Sequence, residues 1–233
     1  MSVGGLQTIS LIDFPEKVSC VLFFTGCNFE CPYCHNPQLA KGCGNSATPF
    51  TNGEDLYRFL ERRKTFLDGV VISGGEPTLD KDLVPLCENI KQMGYPIKLD
   101  TNGSRPQMIE KLLDEDLVDY IAMDVKTDLF HYAPFFRNDL DPNLLLRSIE
   151  VIKSSAPDYE FRTTCAKPIV DEKIIENIAQ SIKGARLYVL QPFRHGDVLH
   201  PEFFKEPDNT FDQEQMRVLQ SIAAPWVEQC VVR

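Results

Sequence analysis

The chain has 233 residues, of which 43% are apolar and 25% are charged, which is the composition of an ordinary globular protein with a sizeable core. Its net charge of −10, from 24 basic and 34 acidic side chains, argues against binding to a nucleic-acid backbone. Since the sequence also has no signal peptide and no apolar run of membrane-spanning length, we expect a cytoplasmic protein that binds neither membrane nor nucleic acid.

Short β-rich runs alternate with helical patterns along the whole chain. Ser104 is predicted to cap one helix, and Thr210 with Gln213 to form a capping box at another. The terminal run, residues 226–233, is a candidate edge strand. In chain order the predicted elements are a strand at 18–24, a helix at 54–66, a strand at 69–73, a helix that carries Leu83 and Ile90 and ends at Gly94, a strand at 95–100, a helix after Ser104, a strand at 117–124, a helix after Asp141, a strand at 159–164, a helix from Asp171 to Gly184, a strand at 186–191 and a helix at 211–222.

Six strand–helix units in alternation predict an α/β fold built from parallel βαβ units. Six units are too few to close an eight-fold barrel, so the pattern leaves two architectures open, an open partial barrel and a doubly wound sheet. In both architectures the ligand-binding groups gather at the carboxyl ends of the strands. No repeat, linker or low-complexity segment divides the sequence, and we therefore predict one domain over residues 1–233.

Polar residues and glycines follow the predicted strands in turn, where a parallel sheet would place its ligand site. In order they are Cys27, Cys31 and Cys34 after the first strand, SGGEP (73–77) after the second, DTNG (100–103) after the third, DVK (124–126) after the fourth, Arg162 and Thr163 in the fifth, and QPFRHGD (191–197) after the sixth.

The spacing C-x3-C-x2-C places the thiols of Cys27, Cys31 and Cys34 in one short loop. In a reducing compartment such a cluster indicates metal binding or catalysis rather than a disulfide. An iron–sulfur cubane normally takes four cysteines, so three would leave one iron open for a substrate. A structural zinc site also takes four ligands, and His35 is the candidate fourth, but it directly follows Cys34 and adjacent residues rarely face one small ion.

The cysteine motif, with Tyr33 before its last cysteine, and the GGEP string together resemble the signature of the radical S-adenosylmethionine superfamily. The strings CPYCHNP (31–37) and DFP (13–15) are similar to glycyl-radical enzyme activating enzymes, above all to those that activate anaerobic ribonucleoside-triphosphate reductase. The resemblance covers nearly the whole chain. It implies an open partial (β/α)6 barrel of parallel strands, formed by a single radical SAM domain.

The resemblance also implies the cofactors and their ligands. Cys27, Cys31 and Cys34 would hold a [4Fe–4S] cluster, whose open iron would bind the amino and carboxylate groups of S-adenosylmethionine. Asp100, with Thr101, resembles positions that hold a monovalent cation beside the cofactor in some relatives. The implied cofactor-binding residues are Tyr33, His35, Asn36, Gly74, Gly75, Glu76, Thr101, Asp124, Lys126 and Arg162.

Asp124 and Lys126 lie on the same face of a strand and suit a zwitterionic amino acid, with the acid toward the ammonium and the lysine toward the carboxylate. A structural ion pair between these two residues is the alternative. Arg162 also has two possible roles, which are contact with the cofactor's ribose and an ion pair with Glu160 or another nearby acid. The loop that carries His195 is a candidate path for a partner chain.

The implied activity is that of an oxidoreductase in which a low-potential donor, such as flavodoxin or ferredoxin, reduces the cluster and S-adenosylmethionine is cleaved to a hydrogen-abstracting radical. Our first hypothesis is an activase that removes a hydrogen atom from a backbone glycine of a glycyl-radical enzyme. Anaerobic ribonucleoside-triphosphate reductase is the preferred partner and a pyruvate formate-lyase-like enzyme the second. The alternatives are a radical enzyme that acts on a small molecule or peptide, and a non-enzymatic Cys3His zinc module for protein contact.

Overall fold

The computed structural model describes residues 2–43, 53–132, 135, 141–204 and 209–233. Its eight strands form one sheet in which the spatial order is the order of the chain. The strands are β1 (Val3–Ser10), β2 (Ser19–Phe24), β3 (Gly69–Gly74), β4 (Ile97–Thr101), β5 (Tyr120–Asp124), β6 (Tyr159–Cys165), β7 (Leu187–Pro192) and β8 (Gln229–Val232).

At least one helix follows each of the strands β2 to β7 in the chain. None of the described helices is both long and apolar enough to cross a membrane. The helices are α1 (Pro37–Ala40), α2 (Gly53–Arg62), α3 (Leu83–Gln92), α4 (Pro106–Asp114), α5 (Asn143–Ser155), α6 (Glu172–Ser181) and α7 (Gln213–Ala223).

The strands β2 to β8 run parallel to their neighbours, and only the β1–β2 pairing is antiparallel. A doubly wound sheet reverses its strand order at a switch point, whereas this sheet progresses in one direction, as a barrel does. Among the described residues no pairing joins β1 to β8. The predicted open partial barrel of six strand–helix units, β2–α2 to β7–α7, is therefore confirmed, and the predicted C-terminal edge strand is β8.

An aromatic side chain from the DFP string closes the end of the barrel at which the parallel strands begin. Phe14 is 3% exposed and packs with Val21, Val71 and Tyr120 in an apolar cluster inside the sheet. Its ring lies 6.1 Å from the ring of Tyr120. Burial of a phenylalanine side chain contributes about 2–3 kcal/mol, so this part of the string has a structural role.

Three local features differ from the sequence-based expectations. The strand β1 was not expected, because most of its residues are exposed or half-buried and its pattern does not alternate. Ser104 does not cap α4, since its hydroxyl accepts a hydrogen bond from the Asn28 side chain. The capping box of α7 is formed by Asp212 and Gln215, two residues after the predicted pair.

Candidate functional site

A cavity of about 210 Å³ opens at the carboxyl ends of β2 to β6. It lies where a parallel barrel is expected to bind its ligand. All predicted site residues line it except Glu76, so the fold brings together groups from five separate strand ends. The predicted residues in its wall are Cys27, Cys31, Tyr33, Cys34, His35, Asn36, Gly74, Gly75, Asp100, Thr101, Asp124, Lys126 and Arg162.

The three cysteines lie in the loop that follows β2. Cys31 is buried, and Cys27 and Cys34 are half-buried. Burial raises the pKa of the Cys27 thiol to about 11 and that of the Cys31 thiol to about 12. Both are therefore protonated at neutral pH in the unloaded chain, and a metal group that binds them has to displace these protons.

His35 is engaged by the protein itself and does not complete an ion site with the three cysteines in this structure. Among the described residues, no three His, Cys, Asp or Glu side chains converge on one point that would suit an ion. The cysteine ligands of a cubane each bind a different iron, so they need not converge in this way. His35, the candidate fourth ligand for zinc, donates its Nε2–H to the Arg194 carbonyl at 2.9 Å and stacks on Phe193.

Asn102, which is not among the predicted site residues, connects the cysteine loop with the loop after β4. Its side-chain amide lies 3.8 Å from the Cys27 sulfur and donates to the Asn28 side chain at 3.0 Å. The backbone N–H of Phe29 also donates to the Cys27 sulfur, at 3.4 Å. Such N–H groups stabilise negative charge on a cysteine sulfur. Asn102 lies in the DTNG string, and this position is the feature of the sequence from which it could have been predicted.

The two glycines of the GGEP string are required by the packing of the backbone. Gly74 has φ +114°, and a Cβ there would lie 2.3 Å from the backbone nitrogen of Phe24. A Cβ on Gly75 would lie 2.1 Å from the carbonyl oxygen of Gly26. Because a side chain at either position would collide with rigid backbone, only glycine lets the end of β3 pack beside the end of β2.

Glu76 lies behind the cavity wall, with its side chain 2% exposed. Its carboxylate accepts hydrogen bonds from the backbone N–H of Thr78 at 3.2 Å, the Thr101 hydroxyl at 2.7 Å and the backbone N–H of Asn102 at 2.6 Å. Burial raises its pKa, against the opposing effect of these hydrogen bonds. In this structure Glu76 holds the loop after β4 in place.

Asp124, Lys126 and Arg162 form a half-buried ion-pair triad at the end of β5 and on the neighbouring strand β6. One carboxylate oxygen of Asp124 accepts from Lys126 Nζ at 2.7 Å and the other accepts from Arg162 Nε at 2.8 Å. Burial opposes the ionisation of Asp124, but the two cations outweigh it and hold its pKa well below the usual range. Arg162 also lies 3.9 Å from Glu160 of its own strand and 3.5 Å from Asp100 of β4, so its acidic neighbours belong to three strands.

Asp100 is surrounded by groups of the protein itself. Its Oδ2 accepts from the Ser73 hydroxyl at 2.9 Å, and its Oδ1 contacts the Lys98 ammonium and lies 3.5 Å from Arg162. The Thr101 hydroxyl is bound to Glu76 and accepts the backbone N–H of Gly103 at 3.1 Å. Lys98 was not predicted, although its position two residues before Asp100 places it on the same strand face.

Tyr33 brings a buried hydroxyl group to the cavity. Its side chain is 4% exposed, and within the described residues its hydroxyl has no hydrogen-bond partner. The Lys126 ammonium lies 5.9 Å from the centre of its ring. A buried hydroxyl without a partner is costly, so a polar ligand in this cavity would satisfy it.

A second, larger cavity of about 760 Å³ adjoins the first on the open side of the barrel. Both cavities are lined by His35, Arg162 and Thr164. The outer wall of the larger one consists of residues 11–16, which include the DFP string, and of the loop that carries His195. A path from solvent to the charged triad therefore runs between these two loops.

Comparisons with known proteins agree with this geometry. The family model of the radical SAM superfamily matches residues 21–182. A provisionally named glycyl-radical enzyme activating enzyme of Methanocaldococcus jannaschii is 38% identical over 236 residues, which cover 99% of this chain and 95% of that protein. A pyruvate formate-lyase-activating enzyme of Clostridium pasteurianum is 30% identical over 129 residues, which cover 53% of this chain and 52% of that protein.

The structure of Streptococcus suis SuiB bound to S-adenosylmethionine shares the fold. The TM-score is 0.64 and the sequence identity is 16%, over 91% of this chain and 51% of that one.

Proposed function

Because the chain belongs to the radical SAM superfamily and, within it, to the glycyl-radical enzyme activating enzymes, we propose that it generates a glycyl radical on an anaerobic ribonucleoside-triphosphate reductase. The observation that carries this proposal is the cavity that joins three cysteines to a half-buried, charged triad. The resemblance of the strings CPYCHNP and DFP supports the choice of partner.

The family's cofactors are a [4Fe–4S] cluster and S-adenosylmethionine, and the residues of the cavity suit both. When bound, these two groups supply the one-electron chemistry that removes a hydrogen atom from an unactivated C–H bond. Cys27, Cys31 and Cys34 would each bind one iron. The N–H groups of Phe29 and Asn102 would stabilise the Cys27 sulfur as a ligand.

The triad would bind the amino-acid part of S-adenosylmethionine by exchanging ion-pair partners. Lys126 would turn from Asp124 to the ligand carboxylate, and the ligand ammonium would replace it at Asp124. Arg162 would keep its hydrogen bond to the other oxygen of Asp124. Since each half-buried charge would have a partner before and after the exchange, binding would avoid the cost of leaving a charge unpaired. Tyr33, His35 and Asn36 would border the adenine.

The larger cavity supports a polypeptide substrate. It opens between two loops on the unclosed side of the barrel, so an extended loop of a partner enzyme could enter and present its glycine Cα to the cofactor. The walls of the cavity would hold the glycine in line with the cofactor and exclude water and other hydrogen donors. A low-potential donor, such as flavodoxin or ferredoxin, would supply the electron.

The test uses the full chain after anaerobic reconstitution with iron and sulfide. Electron paramagnetic resonance of the dithionite-reduced protein is recorded with and without S-adenosylmethionine. The anaerobic ribonucleotide reductase and the pyruvate formate-lyase of one anaerobe are then supplied in separate reactions. We expect a cluster signal that changes with the cofactor, and a glycyl radical doublet on the reductase that is lost when its radical glycine is replaced by alanine.

Other results would lead to different conclusions. A doublet on the formate-lyase alone would keep the activase but reject the preferred partner. Cleavage of S-adenosylmethionine with radical formation on neither enzyme would favour an activity on a small molecule or peptide. A colourless protein that takes up zinc and forms no iron–sulfur cluster would reject the radical activity.

A further inference from the structure

Lys98 is a buried charge that the proposed reaction does not use. Its side chain is 2% exposed, although burial of an ammonium group is costly unless it is paired. It belongs to β4 and lies on the same strand face as Asp100, whose Oδ1 it contacts. The Lys98 ammonium also lies 5.9 Å from the centre of the Tyr120 ring, within the distance of a cation–π interaction.

The Lys98 ammonium is the cation that is dedicated to Asp100. Arg162 also approaches Asp100, at 3.5 Å, but it shares its charge with Asp124 and Glu160. Within the described part of the chain, Asp100 is the one carboxylate with which Lys98 pairs. Burial opposes the ionisation of Asp100, yet Arg162 and Lys98 together lower its pKa below the usual value.

The residues around Asp100 do not fit an additional monovalent cation. The charge of Asp100 is already paired, because its Oδ1 contacts the Lys98 ammonium and its Oδ2 accepts from the Ser73 hydroxyl. A further cation would stand beside the buried Lys98 ammonium and the half-buried Arg162 guanidinium, where repulsion between like charges is stronger than in water. The cation that the sequence resemblance implies at Asp100 and Thr101 is therefore in conflict with Lys98.

We propose that the Lys98 ammonium is a built-in cation that takes the place of a bound monovalent ion at Asp100. The cofactor site of this chain then works without such an ion. The part of the inference that concerns the cofactor rests on the proposed function. The part that concerns Asp100 does not, because it can be measured on the unloaded chain.

The first experiment compares thermal unfolding of the unloaded full chain with that of Lys98→Met. Each protein is measured in KCl, NaCl and tetramethylammonium chloride at equal ionic strength. Methionine keeps the length of the side chain but removes its charge. The matched control is Lys91→Met, because Lys91 forms an ion pair with Asp119, at 2.8 Å, that is partly exposed.

We expect the wild-type chain and Lys91→Met to show the same differences between the three salts. Lys98→Met should melt about 5 °C or more below the wild type in tetramethylammonium chloride. It should regain at least half of this loss in KCl or NaCl, because the small ion can enter and pair with Asp100. The same loss in all three salts, or an ion dependence of the wild-type chain that exceeds that of Lys91→Met, would overturn the inference.

A second variant keeps the test decisive if Lys98→Met does not fold. Lys98→Met combined with Asp100→Asn removes both charges, so the inference predicts a folded chain with no specific ion dependence. A double variant that is also unfolded would assign Lys98 a packing role and overturn the inference.

The reconstituted protein then tests the cofactor site. The dissociation constant of S-adenosylmethionine, measured by equilibrium dialysis, should not depend on the salt for the wild type. For Lys98→Met it should be about tenfold or more weaker in tetramethylammonium chloride than in KCl. A wild-type affinity that requires K⁺ or Na⁺ would contradict the built-in cation. If the wild type binds no cofactor in any salt, the proposed function fails while the unfolding experiment still decides the role of Lys98.

Discussion

Glu76 and Asn102 connect the two loops that form the cysteine side of the site. The Glu76 carboxylate accepts the backbone N–H of Asn102 at 2.6 Å, and the Asn102 side chain in turn approaches the Cys27 sulfur at 3.8 Å. Glu76 thus acts on the cysteine loop through the position of Asn102, without facing the cavity itself. This relationship gives the acidic residue of the GGEP string a positioning role.

The first prediction concerns Glu76→Gln. Both carboxylate oxygens of Glu76 accept hydrogen bonds, whereas the glutamine side chain has one oxygen acceptor and one NH2 donor. The NH2 group would therefore lie against either the Asn102 N–H or the Thr101 hydroxyl, and one hydrogen bond would be lost. We expect a loss of about 2–3 kcal/mol in the free energy of unfolding, measured by urea denaturation, and a lower yield of reconstituted cluster. Glu150→Gln, at an exposed position of α5, is the matched control. Equal behaviour of the two variants would exclude the positioning role.

The second prediction separates a steric collision from backbone strain at glycine. Gly74→Ala would push a Cβ against the backbone of Phe24, whereas Gly94→Ala, at φ +84°, meets no atom within 4 Å. We expect Gly94→Ala to lower the free energy of unfolding by about 1–2 kcal/mol, the cost of the left-handed conformation. Gly74→Ala should cost more, about 3 kcal/mol or above, or prevent folding. Equal losses in the two variants would show that β2 yields to the added methyl group.

The third prediction concerns the cysteines as iron ligands. Cys31→Ala should reduce the iron bound after reconstitution to about a tenth or less, because the cluster loses one of its three protein ligands. Cys87→Ala is the control, since Cys87 is fully buried in α3 and its removal affects packing alone. Iron and sulfide analysis with the optical spectrum measures the outcome. Full iron content in Cys31→Ala would refute the assignment of this ligand.

The fourth prediction follows from the lowered pKa of Asp124. In the unfolded chain this carboxyl binds a proton near its ordinary pKa of about 3.9, whereas the folded chain binds it only at lower pH. The stabilisation by the triad is therefore present above about pH 4 and is lost as pH falls through the folded-state pKa. Asp124→Asn should make the acid decline of the unfolding free energy shallower, by up to about 1.4 kcal/mol per pH unit.

Urea denaturation between pH 2 and pH 6 measures this slope. Asp114→Asn, at an exposed position of α4, serves as the control and should keep the slope of the wild type. An unchanged slope in Asp124→Asn would mean that Lys126 and Arg162 do not lower the pKa of Asp124 in the folded chain.

Much of this site could be predicted because its signals are local. The cysteine spacing lies within eight residues, and the strand–helix alternation depends on patterns of neighbouring residues. Parallel strands place their carboxyl ends at one edge, and for that reason the short strings after β2 to β6 could be assigned to one cavity before the structure was known. The edge strand β1 gave no such signal, because its mostly exposed residues do not alternate.

Spacing and periodicity in the sequence were enough to predict which short strings meet at the carboxyl ends of the strands, because they encode the order of strands and loops. The partner that each group takes could not be predicted in this way, because it depends on how the strands pack in three dimensions. Glu76 turns to Asn102, 26 positions away, and Lys98 occupies Asp100 where an ion was expected. Such choices depend on the distance and burial of groups that different strands bring together, and an ion pair between them gains its strength only when the closed core excludes water.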